Sequence, residues 1–313
     1  MTNVEVTTRI ESPSFADGAD LAPRSPSGPE TLASPPGSEL PWTVIRPQPG
    51  SRLLDLVELW RYRDLLWMLA LRDIKVRYKQ TLIGAAWAVI QPLGTMSIFY
   101  VLFRLMGAKA VSEGVPYAVS AYGALLIWQL FSTSLSQSSN SLVDQQALIK
   151  KVYFPRLIFP LAPILAALVD FAVALVLLFV LTAWYGVGLH ATAAALPLFV
   201  LMAVVTALAV GLWFSALSAM YRDFRYVVPF LAQLWLYVTP VLYETASVIP
   251  ERWRLWYFFN PMAGIIEGFR WALFGVGSLP IAHLAASMAA VAVILTTGLA
   301  YFRHVEETLA DWV

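Results

Sequence analysis

The sequence predicts an all-α integral membrane protein. Six transmembrane helices per protomer are expected, with an N-terminal amphipathic interfacial helix and two short re-entrant periplasmic helices before the last span. Three observations predict this. First, 59% of the 313 residues are hydrophobic and only 13% are charged, against about 25% charged in soluble domains. Second, a cluster of cations, Arg72, Lys75, Arg77 and Lys79, runs straight into a long uncharged apolar segment that starts near Leu82. Cations at the mouth of an apolar run hold that end at the cytoplasmic face. Third, with both termini inside, the inner flanks of the spans carry thirteen Lys and Arg and the outer flanks five, the asymmetry that the positive-inside rule demands.

The elements follow in order. Residues 1–50 hold nine of the 20 prolines among many Ser, Gly and acidic residues. Such a stretch buries too little apolar surface to offset the entropy of ordering, so a disordered cytoplasmic tail is expected. Residues 51–80 form the interfacial region. Leu53, Leu56, Val57 and Trp60 share one helical face, and Asp55, Glu58 and Arg61 point elsewhere. The apolar run 65–71 falls far short of the roughly 20 residues that a span needs. Residues 81–313 then hold spans over about 82–103, 117–137, 157–185, 192–220, 226–243 and 281–302. Residues 244–280 are too apolar for a free loop, and they are broken by Pro250, Asn260–Pro261 and the Gly275/Gly277 pair. Two short helices dipping into the outer leaflet fit this pattern. Irregular backbone at membrane depth must be buried in protein or face water.

Several absences bound the function. The chain has no cysteine and three scattered histidines, so neither a disulfide framework nor a metal site is expected. A formal net charge of +1 gives no ground for nucleic-acid binding. No signal-peptide core opens the sequence. No GxxxxGK[ST] phosphate loop and no hydrolase arrangement occurs, so an active transporter of this kind needs its ATPase on another chain.

The polar constellations are few. Between spans two and three, about 141–154, Leu142, Val143, Ala147, Leu148 and Ile149 mark an amphipathic helix. Its polar set is Asp144, Gln145, Gln146, Lys150 and Lys151, and Pro155 ends it. It suits docking into a partner's groove or lying along the membrane. The inner half of span two, FSTSLSQSSN over 131–140, is dense in hydroxyls and amides, among them Ser134, Gln137 and Ser138. Facing lipid they are costly, so they face a water-filled path or pack helices through small residues. Trp87, Tyr100, Trp235 and Tyr237 are aromatic platforms on which sugar rings can stack, or ordinary packing. Asp170 is the one acid well inside span three; it either meets a cation such as Arg104 or is a neutral, hydrogen-bonded structural acid. Glu267 and Arg270 can pair on one helical face, and Gly264 and Gly268 permit close helix approach.

Four segments in order carry a resemblance: RDIKVRYKQTLIGAAWAVIQP (72–92), KKVYFPR (150–156), YRDFRYVVPF (221–230) and FFNPMAGIIEGFRWALFG (258–275). From residue 52 onward the chain resembles the permease subunit of polysaccharide-exporting ABC transporters, the family that exports O-antigen, teichoic acid and galactan. The resemblance implies a homodimer bound to two copies of a separate ATPase, which supplies ATP and Mg while this chain holds no cofactor. It implies a bacterial inner-membrane location and a substrate of the lipid-pyrophosphate-linked polysaccharide kind. Asp144–Tyr153 then resembles the coupling helix that docks on the ATPase. Arg72, Lys75, Arg77 and Lys79, on a region similar to the gate helix, are candidates to attract the pyrophosphate. Trp253, Trp256, Tyr257, Asn260, Pro261, Glu267 and Arg270 resemble the periplasmic gate. Trp87, Tyr100, Ser134, Gln137, Ser138, Trp235 and Tyr237 are the candidates to line the channel. The alternatives are an exporter of small lipophilic compounds or lipids, a membrane-embedded polyprenyl-glycan transferase, and a passive channel.

Overall fold

Apolar, helix-forming sequence accounts for nearly every element of the computed structural model, which describes residues 56–79, 81, 84–105, 111–112, 115–149, 151, 154–188, 190–276 and 281–312. The Pro-rich zone 1–50, and Lys150 and Tyr153 of the expected docking helix, lie outside the described residues. Helix α1 (Leu56–Arg61) leads into α2 (Arg63–Tyr78). A single 3₁₀ turn over Gly84–Ala86 opens α3 (Trp87–Leu105). A minimal antiparallel pair, β1 (Val111–Ser112) and β2 (Val115–Pro116), precedes α4 (Tyr117–Asp144), which gives way to the one-turn α5 (Gln146–Ile149). Then come α6 (Ile158–Trp184), α7 (Leu196–Met220) and α8 (Phe224–Val238). The short α9 (Thr245–Val248) and α10 (Glu251–Tyr257), the central α11 (Pro261–Phe274) and the long α12 (Ile281–Trp312) complete the chain.

Four helices among the described residues are long and apolar enough to cross a membrane: Tyr117–Asp144, Ile158–Trp184, Ala191–Met220 and Ile281–Glu306. Trp87–Leu102 and Phe224–Val238 are shorter apolar helices. Prolines sit inside three helices, Pro92 in α3, Pro163 in α6 and Pro229 in α8, as apolar helices tolerate when neighbours satisfy the freed carbonyls.

The order of burial places α4 at the centre. Of its most apolar stretch 83% is buried, against 33%, 39% and 22% for α6, α7 and α12. It packs on α6, α7, α3, α8 and α11. Val119, Tyr122, Ile127 and Phe131 of α4 meet Phe199 and Ala203 of α7 and Phe269 and Leu273 of α11 in the main core. A second core joins Leu69 of α2 to Leu142, Phe159, Leu212 and Phe302.

Helix α4 is longer than its periodicity suggested, because its polar half bonds back onto itself. Ser139 Oγ and Asn140 Nδ2 donate to Ser136 O (2.8 and 3.0 Å), and Ser141 Oγ donates to Ser138 O (2.7 Å). The amphipathic helix expected over 141–154 is therefore divided. Its first turn continues α4, Gln145 breaks the helix at φ −107°, and one further turn remains as α5.

Helix α11 shows how local sequence fixes a buried element. The Asn260 side chain caps it by accepting from the Met262 N–H (3.2 Å), Pro261 holds its first position, and Gly275 ends it at φ 66° in the left-handed region. Its close approach to α12 depends on Gly264, where a Cβ would lie 2.6 Å from Ser287 Oγ and 3.1 Å from the Leu284 Cα. Gly268 in turn receives the ring of Phe199.

This gives a paired expectation. Gly264→Ala overpacks the α11–α12 seam and lowers stability by about 1–3 kcal/mol. Gly94→Ala in α3, where no atom lies within 4 Å of the added Cβ, is neutral or stabilising by up to about 1 kcal/mol. Thermal unfolding of both variants in detergent checks the opposite signs.

Candidate functional site

The site is built from the two polar faces of α4. One face carries Ser134 and Ser138, which are fully buried and whose hydroxyls have no hydrogen-bond partner among the described residues. Ser138 packs against Gly211 of α7, where a Cβ would lie 2.7 Å from its Oγ. Both serines are buried, and Ser138 sits at a seam with α7, whose approach its small size permits. The other face carries Gln129, Thr133 and Gln137 at four-residue spacing, all half-buried, with Gln129 Nε2 donating to Thr133 Oγ1 (3.3 Å). They line a cavity of about 210 Å³, together with α2, α3 and α6.

A charged cluster closes one end of that cavity. The Arg77 guanidinium of α2 donates to Asp170 of α6 and to Gln137 of α4, and the Tyr78 hydroxyl donates to the same Asp170 carboxylate. Asp170 thus has Arg77 and Tyr78 as partners. Arg104, the cation suggested by the sequence, sits exposed near the far end of α3. Burial pulls the Arg77 guanidinium below its ordinary value, opposed by Tyr78 and Asp73. A second cavity of about 410 Å³ lies on the other side of this cluster. Arg72, Asp73, Arg77, Gln137, Asn140 and Asp144 are among its lining.

Helix α2 is turned so that these charges face protein while Trp67, Met68 and Val76 are exposed. In water this is the costly orientation. Next to lipid it is the favourable one. Arg72 pairs with Asp73 (2.8 Å) and donates to Gln145 Oε1 (2.9 Å). Of the four cations, only Lys75 and Lys79 stand exposed.

The α4–α5 corner is held from two sides. Arg72 of α2 reaches Gln145, and Arg225 at the start of α8 lies 3.7 Å from Asp144. Gln146 is half-buried and Lys151 is exposed. Buried Phe154 packs at a tilt against Phe159, ring centroids 5.1 Å apart, and anchors the return to α6.

Between α8 and α11 lies a polar latch. Asn260 accepts from Trp235 Nε1 (3.0 Å) and donates to Thr239 Oγ1 (3.0 Å). Arg270 donates to Val241 O (2.6 Å) and Tyr243 O (3.2 Å). The ion pair with Glu267 that the helical spacing suggested is replaced by these carbonyl contacts, because the turn after α8 leaves its carbonyls unpaired within reach. Glu267 is half-buried, and desolvation pushes its carboxyl up despite the nearby Arg270 and Arg254 cations. Tyr257 bonds Val238 O (2.8 Å) and meets the Tyr243 hydroxyl (2.9 Å). Trp253 and Trp256 stand exposed, and Pro261 is buried.

Among the expected channel aromatics, Trp87 and Tyr237 are exposed and Tyr100 is half-buried. Trp235 packs edge-on to Phe131 at 5.3 Å. Thr133 belongs to the polar stretch 131–140, while Gln129, Gln91 and Phe171 of the smaller cavity were not among the expected site residues. The four-residue spacing of Gln129, Thr133 and Gln137 was the available signal. Among the described residues, no three His, Asp or Glu side chains gather as a metal site.

The cluster makes a prediction. Asp170→Asn leaves Arg77 without its counter-charge and loosens α2. Trypsin then cleaves at Arg72, Lys75 or Lys79 faster than in the parent protein. Paired with Arg77→Met in a double-mutant cycle, the coupling is about 1–3 kcal/mol.

The comparisons agree with one another. The ABC-2 type transporter family matches residues 64–274. The chain is 30% identical over 240 residues to the O-antigen export system permease protein RfbA of Myxococcus xanthus, covering 76% of this chain and 90% of that one. It is 28% identical over 249 residues to the permease of the same name from Klebsiella pneumoniae, covering 79% and 94%. The chain belongs to the ABC-2 type transporter family and is a multi-pass membrane transport permease related to the O-antigen export permeases.

Proposed function

We propose that this permease forms the membrane path of an ATP-driven exporter of a polysaccharide linked to a lipid pyrophosphate. The observation that carries this reading is the extent of the match to O-antigen export permeases, up to 94% of their length. Residues 56–79 act as the interfacial gate region. Six spans follow: α3, α4, α6, α7, α8 and α12, with both termini cytoplasmic. Helices α10 and α11 form the outer gate, and the latch of Trp235, Asn260 and Arg270 supports a gate that moves as one piece with the end of α8. Residues 1–50 are a tail outside the permease domain.

A homodimer is part of the proposal. Helices α3 and α8 both flank α4, and Ile98, Val101, Phe230 and Leu234 of these helices are exposed. That leaves apolar surface for a second copy or lipid, and a two-fold pair can enclose a path that one protomer cannot. Two copies of a separate ATPase bind ATP and Mg and dock on the α4–α5 corner, with Asp144, Gln145, Gln146, Lys150, Lys151 and Tyr153 as the contact set. The cross-links from Arg72 and Arg225 support this role, since a push on the corner reaches α2 and α8 directly. Lys75 and Lys79 are the cations left to attract a pyrophosphate, because Arg72 and Arg77 are engaged by carboxylates.

Co-purification with the ATPase from the neighbouring reading frame tests the assembly. A stoichiometric complex whose ATP hydrolysis rises with lipid-linked glycan is the expected result. Ala147→Pro, or charge reversal at Lys150 and Lys151, should cut surface glycan about tenfold while ATP hydrolysis continues. Unchanged export would remove the docking role from this corner.

A further inference from the structure

The smaller cavity has a chemistry of its own. Its polar wall is the Gln129, Thr133, Gln137 ladder of α4, faced by Gln91 of α3. Its apolar wall includes Trp87 and Phe171. The charged residues among its described lining are Arg77 and Asp170, and these neutralise each other. An anion gains nothing there, because its attraction to Arg77 is offset by Asp170. A lipid tail would cover the amides of Gln91, Gln129 and Gln137 without meeting the hydrogen-bonding capacity they have left, which disfavours it. What remains is a neutral ligand with an apolar face for the aromatics and several hydroxyls for the amides, and that describes a sugar ring. A cavity of about 210 Å³ is on the scale of one sugar ring.

We propose that the cavity between α2, α3, α4 and α6 is a binding site for a single uncharged sugar residue. Gln129, Thr133 and Gln137 read its hydroxyls and Trp87 covers its face. The inference rests on the polysaccharide-export reading for the source of the ring. It makes the site a recognition pocket beside the Arg77–Asp170 bridge, so an occupied pocket places a sugar against the residues that hold α2 to α4 and α6.

The test uses the complex with its ATPase in nanodiscs of phosphatidylcholine alone, so that no glycolipid competes. Methyl pyranosides and methyl furanosides at millimolar concentration are the probes, read by saturation-transfer NMR. Ring-proton signals from at least one glycoside are expected, unaffected by inorganic pyrophosphate. In Thr133→Val and in Gln129→Leu the binding should weaken about fivefold, the loss of one net hydrogen bond. Trp87→Leu, altered on the exposed wall, should weaken it similarly and covers the case in which an α4 variant fails to fold. Absence of signal from the parent complex overturns the proposal. So does equal signal from all variants, or displacement by pyrophosphate. Glycan export is measured in parallel. Export without glycoside binding defeats the pocket alone, and glycoside binding without export defeats the export reading while the pocket stands.

Discussion

A helix with a run of hydroxyls and amides cannot lie against lipid, and that constraint organises this protein. The second half of α4 carries Ser132, Thr133, Ser134, Ser136, Gln137, Ser138, Ser139 and Asn140. Every one of these groups needs a partner, a neighbouring helix or water. The fold answers by making α4 the hub and dividing its polar groups between two faces. Ser139, Asn140 and Ser141 turn back onto their own helix. Ser134 and Ser138 are buried, and Ser138 lies against Gly211 of α7, where small side chains allow close packing. Gln129, Thr133 and Gln137 are left to a cavity.

The position of α2 follows from the same constraint. Its Arg77 and Tyr78 satisfy Asp170, an acid that would otherwise be stranded on a strongly apolar helix. The bridge that neutralises Asp170 also brings α2 across the mouth of the cavity and separates it from the larger space beside Asn140 and Asp144. At one end of the bundle, Arg72 and Arg225 tie the α4–α5 corner to α2 and α8. Near the end of α8, Asn260 and Arg270 tie α11 to the turn that follows it. Polar contacts thus sit where elements meet, and the stretches between them are held by apolar packing. In a transport permease this arrangement lets whole helices shift as units, with the strain taken at a few polar joints.

Much of this was legible in the sequence. The apolar runs gave α6 and α7 nearly to their ends, since a span's length and hydropathy are local properties; α12 runs on past the expected 302 to Trp312, where the sequence is no longer apolar. Asn260–Pro261 and Gly275 marked α11 because caps are local too. Partners were not legible. Asp170 meets Arg77 across 93 positions, and a single sequence holds no record of that proximity. The two faces of α4 were also merged into one polar stretch. Residues one position apart differ by about 100° around a helix, and only the placement of α7 tells which face is dry. The division of the expected docking helix into the end of α4 and the single turn of α5 has the same origin. Its amphipathic pattern is real, and the tether from Arg72 to Gln145, not the pattern, joins it to α2.

The central claim is that α4 presents a dry serine face and a wet amide face. The chain contains no cysteine, so single cysteines report without background. The direct measurement is the reaction rate of a small charged thiol reagent with cysteines placed at 129, 133, 134, 137 and 138 in membrane vesicles. The account predicts labelling at 129, 133 and 137 and protection at 134 and 138. Labelling at 134 and 138 with protection at the other three would contradict it and return the serines to the lining of a path.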